Sequence, residues 1–381
     1  MPAAPDPANL ARATVREMTG YTPGEQPPPG ARIIKLNTNE NPFPPSEKVM
    51  QALRAVTGES LRRYPNPTAD AFRKSAAKVL GITPDMIIAG NGSDDILTIA
   101  TRTFIPPGGS LAYCDPTYSL YPVLARLQDA RTITLPWDND WSLPVERLAA
   151  TKADAIYLAN PNAPSGTFVP LAKVAELAAA FGKLLLIDEA YVDFADDNCL
   201  GLVSKYPNVV VSRTFSKAYS MAGMRFGYAV AQPRVIAEMM KVKDSYNCDA
   251  VSIIAATAAI EDQEYSRSVW NQIKSERTRL SQELRKLGWL VEPSQANFLW
   301  AKVPGGNAEA AYLALKKQGI LVRYFPYPGL TANLRITIGM AQENDALLNA
   351  IRSLSQVNSE NRSPSPRSTV NSGPARSGST L

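Results

Sequence analysis

Histidine is missing from this chain altogether. That absence excludes Ser-His-Asp and Cys-His nucleophile activation, and with them His-ligated zinc, iron and haem sites. It also leaves no side chain whose ordinary pKa lies near neutrality. Proton transfer near pH 7 must then use a perturbed group, of which a lysine depressed by Schiff-base chemistry is one. Cysteine is scarce: Cys114, Cys199 and Cys248 are odd in number and far apart. They read as reduced thiols of a cytosolic enzyme, not as a disulfide or zinc framework, and no metal site is expected. No apolar run reaches the ~18–20 residues that span a bilayer. The opening Met1-Pro2-Ala3-Ala4-Pro5-Asp6 lacks a basic n-region and an apolar h-region. No export signal is therefore expected, which places the chain in the cytoplasm and off the membrane. Strong charge is lacking too: 40 basic and 35 acidic residues leave +5. Part of that excess is Arg362, Arg367 and Arg376 near the end of the chain, and no basic patch interleaved with aromatics accompanies it. A nucleic-acid partner is not expected.

What is present is a chain of 381 residues, 45% hydrophobic, long enough for one large and one small domain. A Pro-, Ala- and Gly-rich arm over 1–45 is expected to join the smaller domain. From residue 86 the pattern becomes strand, turn, helix. Strands are expected at 86–89, 110–113, 131–135, 155–159, 184–187, 209–211 and 226–230, with helices at 94–104, 171–181 and 252–260. Earlier helices fall at 47–55 and 69–80. This alternation implies an α/β fold over 46–262, a mostly parallel sheet between helices. Over 263–355 a long charged helix precedes short strands at 289–291, 297–301, 321–323 and 334–338 and a helix at 308–318, which reads as a smaller α+β domain. Residues 356–381 are Ser, Pro, Arg, Asn and Gly with few apolar residues, and are expected to be disordered.

The chemistry gathers around Ser212-Arg213-Thr214-Phe215-Ser216-Lys217, which follows the β-branched run Val209-Val210-Val211. Ligands of open α/β sheets bind at the carboxyl ends of strands. An amine among hydroxyl and guanidinium donors suits a phosphorylated aldehyde: Lys217 to bond it, Thr214, Ser216 and Arg225 to hold its phosphate. The alternative is a Ser/Thr-rich turn with an exposed lysine. Gly90-Asn91-Gly92-Ser93-Asp94 lies between a strand and a helix start, where backbone NH groups favour a phosphate. As a dinucleotide fingerprint it fails at the last glycine position, which Asp95 occupies. Asp188 ends the apolar run 184–187, where an anion is costly unless a cation meets it. A protonated pyridine nitrogen is such a cation, and Tyr191 could reach the ring's phenolic oxygen; an acid capping the next helix is the alternative.

The ordered set Asn37-Thr38-Asn39-Glu40-Asn41-Pro42, Arg63-Tyr64-Pro65, Gly90-Asn91-Gly92-Ser93-Asp94, the loop 160–166, Asp188-Glu189-Ala190-Tyr191, Ser216-Lys217 and Leu334-Arg335-Ile336-Thr337 resembles fold type I pyridoxal phosphate aminotransferases. It looks most like their histidinol-phosphate branch, over residues 15–355. The resemblance implies a homodimer that uses pyridoxal 5'-phosphate to pass an amino group between a small-molecule donor and a 2-oxo acid. In that branch the donor is L-histidinol phosphate, the acceptor 2-oxoglutarate, and the products imidazole-acetol phosphate and L-glutamate. It further implies Lys217 as Schiff-base lysine and proton shuttle, Asp188 on the pyridine nitrogen, Tyr191 on the ring oxygen and Tyr118 stacked on the ring. Ser93, Asp94 through its backbone, Thr214, Ser216 and Arg225 would hold the phosphate, with Tyr64 reaching in from the partner subunit. Arg335 matches the substrate-anion arginine, and Tyr21, Asn39 and Arg323 match positions near the substrate. One departure stands out. Ala163 occupies the position before the second proline of the 160–166 loop where the family usually has Asn, and Asn162 is the nearest substitute for the lost amide. The segment 324–329 is also longer and more aromatic than the family's usual link. On the same fold an aromatic amino-acid aminotransferase and a threonine-phosphate decarboxylase are the rivals. A cofactor-sensing regulator would need an attached DNA-binding domain, for which the N-terminal arm is too short.

Overall fold

The apolar runs from residue 87 onward carry no polar face, and the computed structural model, which describes residues 6–28 and 30–360, shows the reason. Their strands are covered on both sides. After β1 (Ile34–Lys35) come β2 (Ile87–Gly90), β3 (Ser110–Asp115), β4 (Arg131–Pro136), β5 (Ala155–Ala159), β6 (Leu184–Asp188), β7 (Val209–Thr214) and β8 (Gly227–Val230). The last seven form one sheet in the order β2-β8-β7-β6-β5-β3-β4. Successive side chains point to opposite faces. Ile156, Leu158, Leu185, Ile187, Val209 and Val211 therefore enter one apolar cluster, while Ala155, Tyr157, Leu184, Leu186 and Val210 enter the other. Both faces being buried, the strands read as continuous hydrophobic runs.

The pairs β3–β4, β3–β5, β5–β6 and β6–β7 are parallel, whereas β8 runs antiparallel to both β2 and β7. The sheet is thus mostly parallel, as expected. Helices cover it beyond those foreseen. Leu120–Leu127 and Pro233–Val242 are helical as well. The first was obscured by Pro122, which is tolerated because it sits in the opening turn, where amides have no intrahelical partner anyway.

The later strands are β9 (Leu290–Val291), β10 (Phe298–Lys302), β11 (Ile320–Leu321), β12 (Arg323–Tyr324) and β13 (Asn333–Thr337). Four of them make a sheet in the order β12-β13-β10-β9. The single strand foreseen at 321–323 is divided: Ile320–Leu321 pairs with β1, while Arg323–Tyr324 pairs with β13. The helix Gln263–Lys286 runs between the two regions, and Ala341–Glu360 closes the described chain. That last helix covers the first residues of the stretch expected to lack structure; residues 361–381 lie outside the described ones.

Candidate active site

The loops leaving β3, β5, β6 and β7 and the turn after β2 meet the small sheet around one cleft of about 1260 Å³. Phe215 fixes the loop that carries Lys217. It is fully buried, with the rings of Phe72 and Phe226 each at 5.5 Å and that of Tyr219 at 4.5 Å. Its neighbours Thr214 and Ser216 consequently face the cleft with Lys217. The Lys217 Nζ donates to the Thr38 carbonyl at 2.9 Å and lies 5.9 Å from the Tyr191 ring centroid. Loss of solvent, and next the Arg335 guanidinium, push its pKa down to about 8.

Asp188 is tuned the other way. Its carboxylate is 4% exposed and accepts from the Tyr121 hydroxyl at 3.1 Å and the Ala190 amide at 3.2 Å. No cation pairs with it among the described residues. Burial raises its pKa to about 7, against the pull of the Tyr121 hydrogen bond. Tyr191 is pinned by Asn39, whose Nδ2 donates to the phenolic oxygen at 3.0 Å. Asn39 is itself buried, held by Thr337, and takes a left-handed φ of 56° that Asn tolerates better than most residues.

At the other end of the cleft the helix Ser93–Phe104 begins with its free amides beside Arg225. The Nη1 of Arg225 donates to the Ser216 Oγ at 3.1 Å, its Nη2 pairs with Asp94 at 3.2 Å, and the Thr214 Oγ1 accepts from the Ser216 amide at 3.2 Å. Two glycines make this cradle possible. A Cβ on Gly92 would stand 2.7 Å from the Arg225 Nη2, and one on Gly227 would stand 2.5 Å from the Ser93 amide nitrogen. Arg225 is held at φ 50°, a left-handed backbone that an arginine keeps only where its surroundings compel it. Tyr118 lines the wall between the two ends, its hydroxyl donating to Asp94 at 3.1 Å.

The small sheet contributes Arg323 and Arg335, and Tyr21 lies edge-on to Tyr118 with ring centroids 5.9 Å apart. The expected site residues among these all line the cleft. Two other expected site residues do not. Tyr64 is 81% exposed, outside this cleft, stacked on Tyr246 with centroids 4.4 Å apart. Asn162 is a correction. It is fully buried and its amide is spent on Thr117, the Pro116 carbonyl and Ser165, so it does not take over from the amide lost at Ala163. Ala163 and Pro164 line the cleft instead.

Sequence reasoning missed Tyr121, which bonds Asp188 from behind. Its signal was a second tyrosine one helical turn after Tyr118. It also missed the buried pair Glu189–Arg213, joined at 2.9 and 2.7 Å, whose members adjoin Asp188 and Thr214.

A family model described as aminotransferase class I and II matches residues 31–351. A protein of Trichormus variabilis called histidinol-phosphate aminotransferase 1 is 47% identical over 346 residues, which is 91% of this chain and 99% of that relative. Its counterpart from Rhodopirellula baltica, called histidinol-phosphate aminotransferase, is 46% identical over 340 residues, 88% of this chain and 93% of its own. Among solved structures, histidinol-phosphate aminotransferase from Sinorhizobium meliloti in complex with pyridoxal-5'-phosphate superposes with a TM-score of 0.78 at 28% identity, covering 84% of this chain and 91% of that one. The matched span takes in both sheets and, Tyr21 apart, each side chain placed in the cleft above: the chain belongs to the class I and II aminotransferase family.

Proposed function

We propose that this aminotransferase moves the amino group of L-histidinol phosphate to 2-oxoglutarate, giving imidazole-acetol phosphate and L-glutamate. It does so with pyridoxal phosphate, as a cytoplasmic homodimer. The cleft fits that cofactor on its own terms. A buried carboxylate without a cationic partner, Asp188, suits a protonated pyridine nitrogen. A cradle kept open by Gly92 and Gly227, at a helix start beside Ser216, Thr214 and Arg225, suits a phosphate. When bound, the cofactor supplies an aldehyde that takes up amino groups and a ring that stores an electron pair.

The remaining steps belong to the chain. Lys217, held at about 8, is partly neutral near neutral pH, so its Nζ can bond the aldehyde and can take the proton from the amine-bearing carbon of the substrate. Asp188 would hold the ring nitrogen and keep it protonated. Tyr191, oriented by Asn39, would donate from its hydroxyl to the ring oxygen without help from the 160–166 loop, where Ala163 has no amide to offer. Tyr118, which lines the cleft, would cover one face of the ring and keep water off it.

One observation carries the substrate reading. Arg323 and Arg335 line the same cleft as Lys217, and neither pairs with a carboxylate among the described residues. Arg323 donates to the carbonyls of Thr22 and Pro23 and Arg335 to that of Asn37, neutral partners that leave both charges for an anionic donor and an anionic acceptor. Relatives at 46–47% identity bearing the histidinol-phosphate name support the choice of donor. A panel of L-histidinol phosphate, phenylalanine, tyrosine and threonine phosphate tests it. Histidinol phosphate is expected to give the highest kcat/KM. A preference for phenylalanine or tyrosine, or release of carbon dioxide from threonine phosphate, would overturn the reading.

A further inference from the structure

Arg323 stands directly opposite Arg335 in the β12–β13 register, and Arg335 stands opposite Trp300 in the β13–β10 register. Like charges facing each other across a strand pair destabilise a sheet. No carboxylate relieves this pair among the described residues, and the Arg335 Nε is a buried donor without a partner. What the arginines share is a ring. The guanidinium carbons of Arg323 and Arg335 each lie 5.4 Å from the centroid of Phe325, and Arg335 also has Phe298 at 5.3 Å. Phe325 follows β12 directly and meets Trp300 edge-on at 5.7 Å. Arg323, Arg335, Phe325 and Trp300 all line the cleft that holds Lys217. The negative face of an aromatic ring attracts guanidinium groups, so Phe325 offsets part of the repulsion that the strand register imposes.

We propose that Phe325 is a specificity-determining residue: its ring holds Arg323 and Arg335 together as a site for a dianion, and so favours a phosphate-bearing amino donor over a carboxylate-bearing one. This rests on the substrate reading above. A phosphate monoester carries nearly two charges at neutral pH, with enough acceptor oxygens to engage both guanidinium forks. A single carboxylate brings one charge and satisfies one fork. Losing the ring lets the arginines separate, which costs the phosphate more than it costs the carboxylate. The extended aromatic segment after β12 thereby acquires a role.

The test compares wild-type holoenzyme with Phe325→Leu, Phe325→Met and Phe325→Tyr. Met covers the case in which Leu loosens the loop. With Leu or Met, kcat/KM for histidinol phosphate is expected to fall roughly ten- to thirty-fold, mainly through KM. The value for L-phenylalanine, an amino donor with one carboxylate, should stay within about three-fold, and Tyr should restore the wild-type ratio. Inhibition by inorganic phosphate should weaken in step, while inhibition by acetate should not. An unchanged ratio, an equal loss for both substrates, or failure of Tyr to rescue would overturn the proposal. The two inferences fail separately. If the wild type itself prefers phenylalanine, the substrate reading is lost, and the phosphate-to-acetate comparison still judges Phe325: an identical ratio in wild type and Leu variant sinks it.

Discussion

Burial at the foot of the cleft moves Lys217 down to about 8 and Asp188 up to about 7, because desolvation penalises the charged form of each. For Asp188 this has a consequence for stability. Its ordinary pKa is 3.8, so between about pH 4 and 7 the folded chain retains a proton that the unfolded chain has released. The stabilisation is complete below that window and is lost as pH rises through about 7. Asp188→Asn abolishes the titration. In cofactor-free protein the melting temperature of the variant relative to the parent is therefore expected to climb as pH rises from 4 to 7. Parallel curves would show that Asp188 carries no such burial penalty. At this same scale Asn162 shows where residue-level reading stops. An amide next to a lost amide looks like a replacement, yet the turn aims it at Thr117 and Ser165.

Strands β6 and β7 carry Asp188 and the Lys217 loop, and an ion pair at their carboxyl ends ties the strands together. Glu189 and Arg213 form a two-bond ion pair with 1% and 9% exposure, and the second Glu189 oxygen accepts from the Cys199 amide. Removing one member leaves the other charged, buried and unpaired, which costs about 3–5 kcal/mol. Glu189→Gln is expected to lower stability by that order in denaturant titrations, and adding Arg213→Met should recover most of it. If the double variant is as unstable as the single, the loss does not come from an unpaired charge on Arg213. The strands themselves were legible, since uninterrupted β-branched and aliphatic runs mark sheets covered on both faces. The antiparallel sense of β8 was not. Side chains alternate with the same period in either direction, so only the partner strands reveal it.

At the scale of the molecule, Tyr64 lies on the surface, away from the cleft of its own chain, stacked on Tyr246. A homodimer in which this tyrosine completes the phosphate cradle of the other subunit makes a direct prediction. Mixing inactive Lys217→Ala subunits with Tyr64→Phe subunits should raise activity above the sum of the separate proteins, because one hybrid site then has both residues intact. Activity equal to that sum would mean that Tyr64 does not serve the neighbouring cleft. The sequence alone determined the layered α/β architecture and most of the cleft residues, because strand periodicity, glycine turns and the chemistry of residues ending apolar runs are local properties. It placed Lys217, Asp188, Thr214, Ser216 and Arg225 at one sheet edge for that reason. Tertiary structure alone decided that Tyr121 supports Asp188, that Asn162 turns away, and that Arg323 faces Arg335 beneath one phenylalanine. Each of these depends on strand register, loop path or through-space packing. No local pattern specifies them: a one-residue slip of β12 against β13 would keep the same sequence and turn Arg323 to the other face of the sheet.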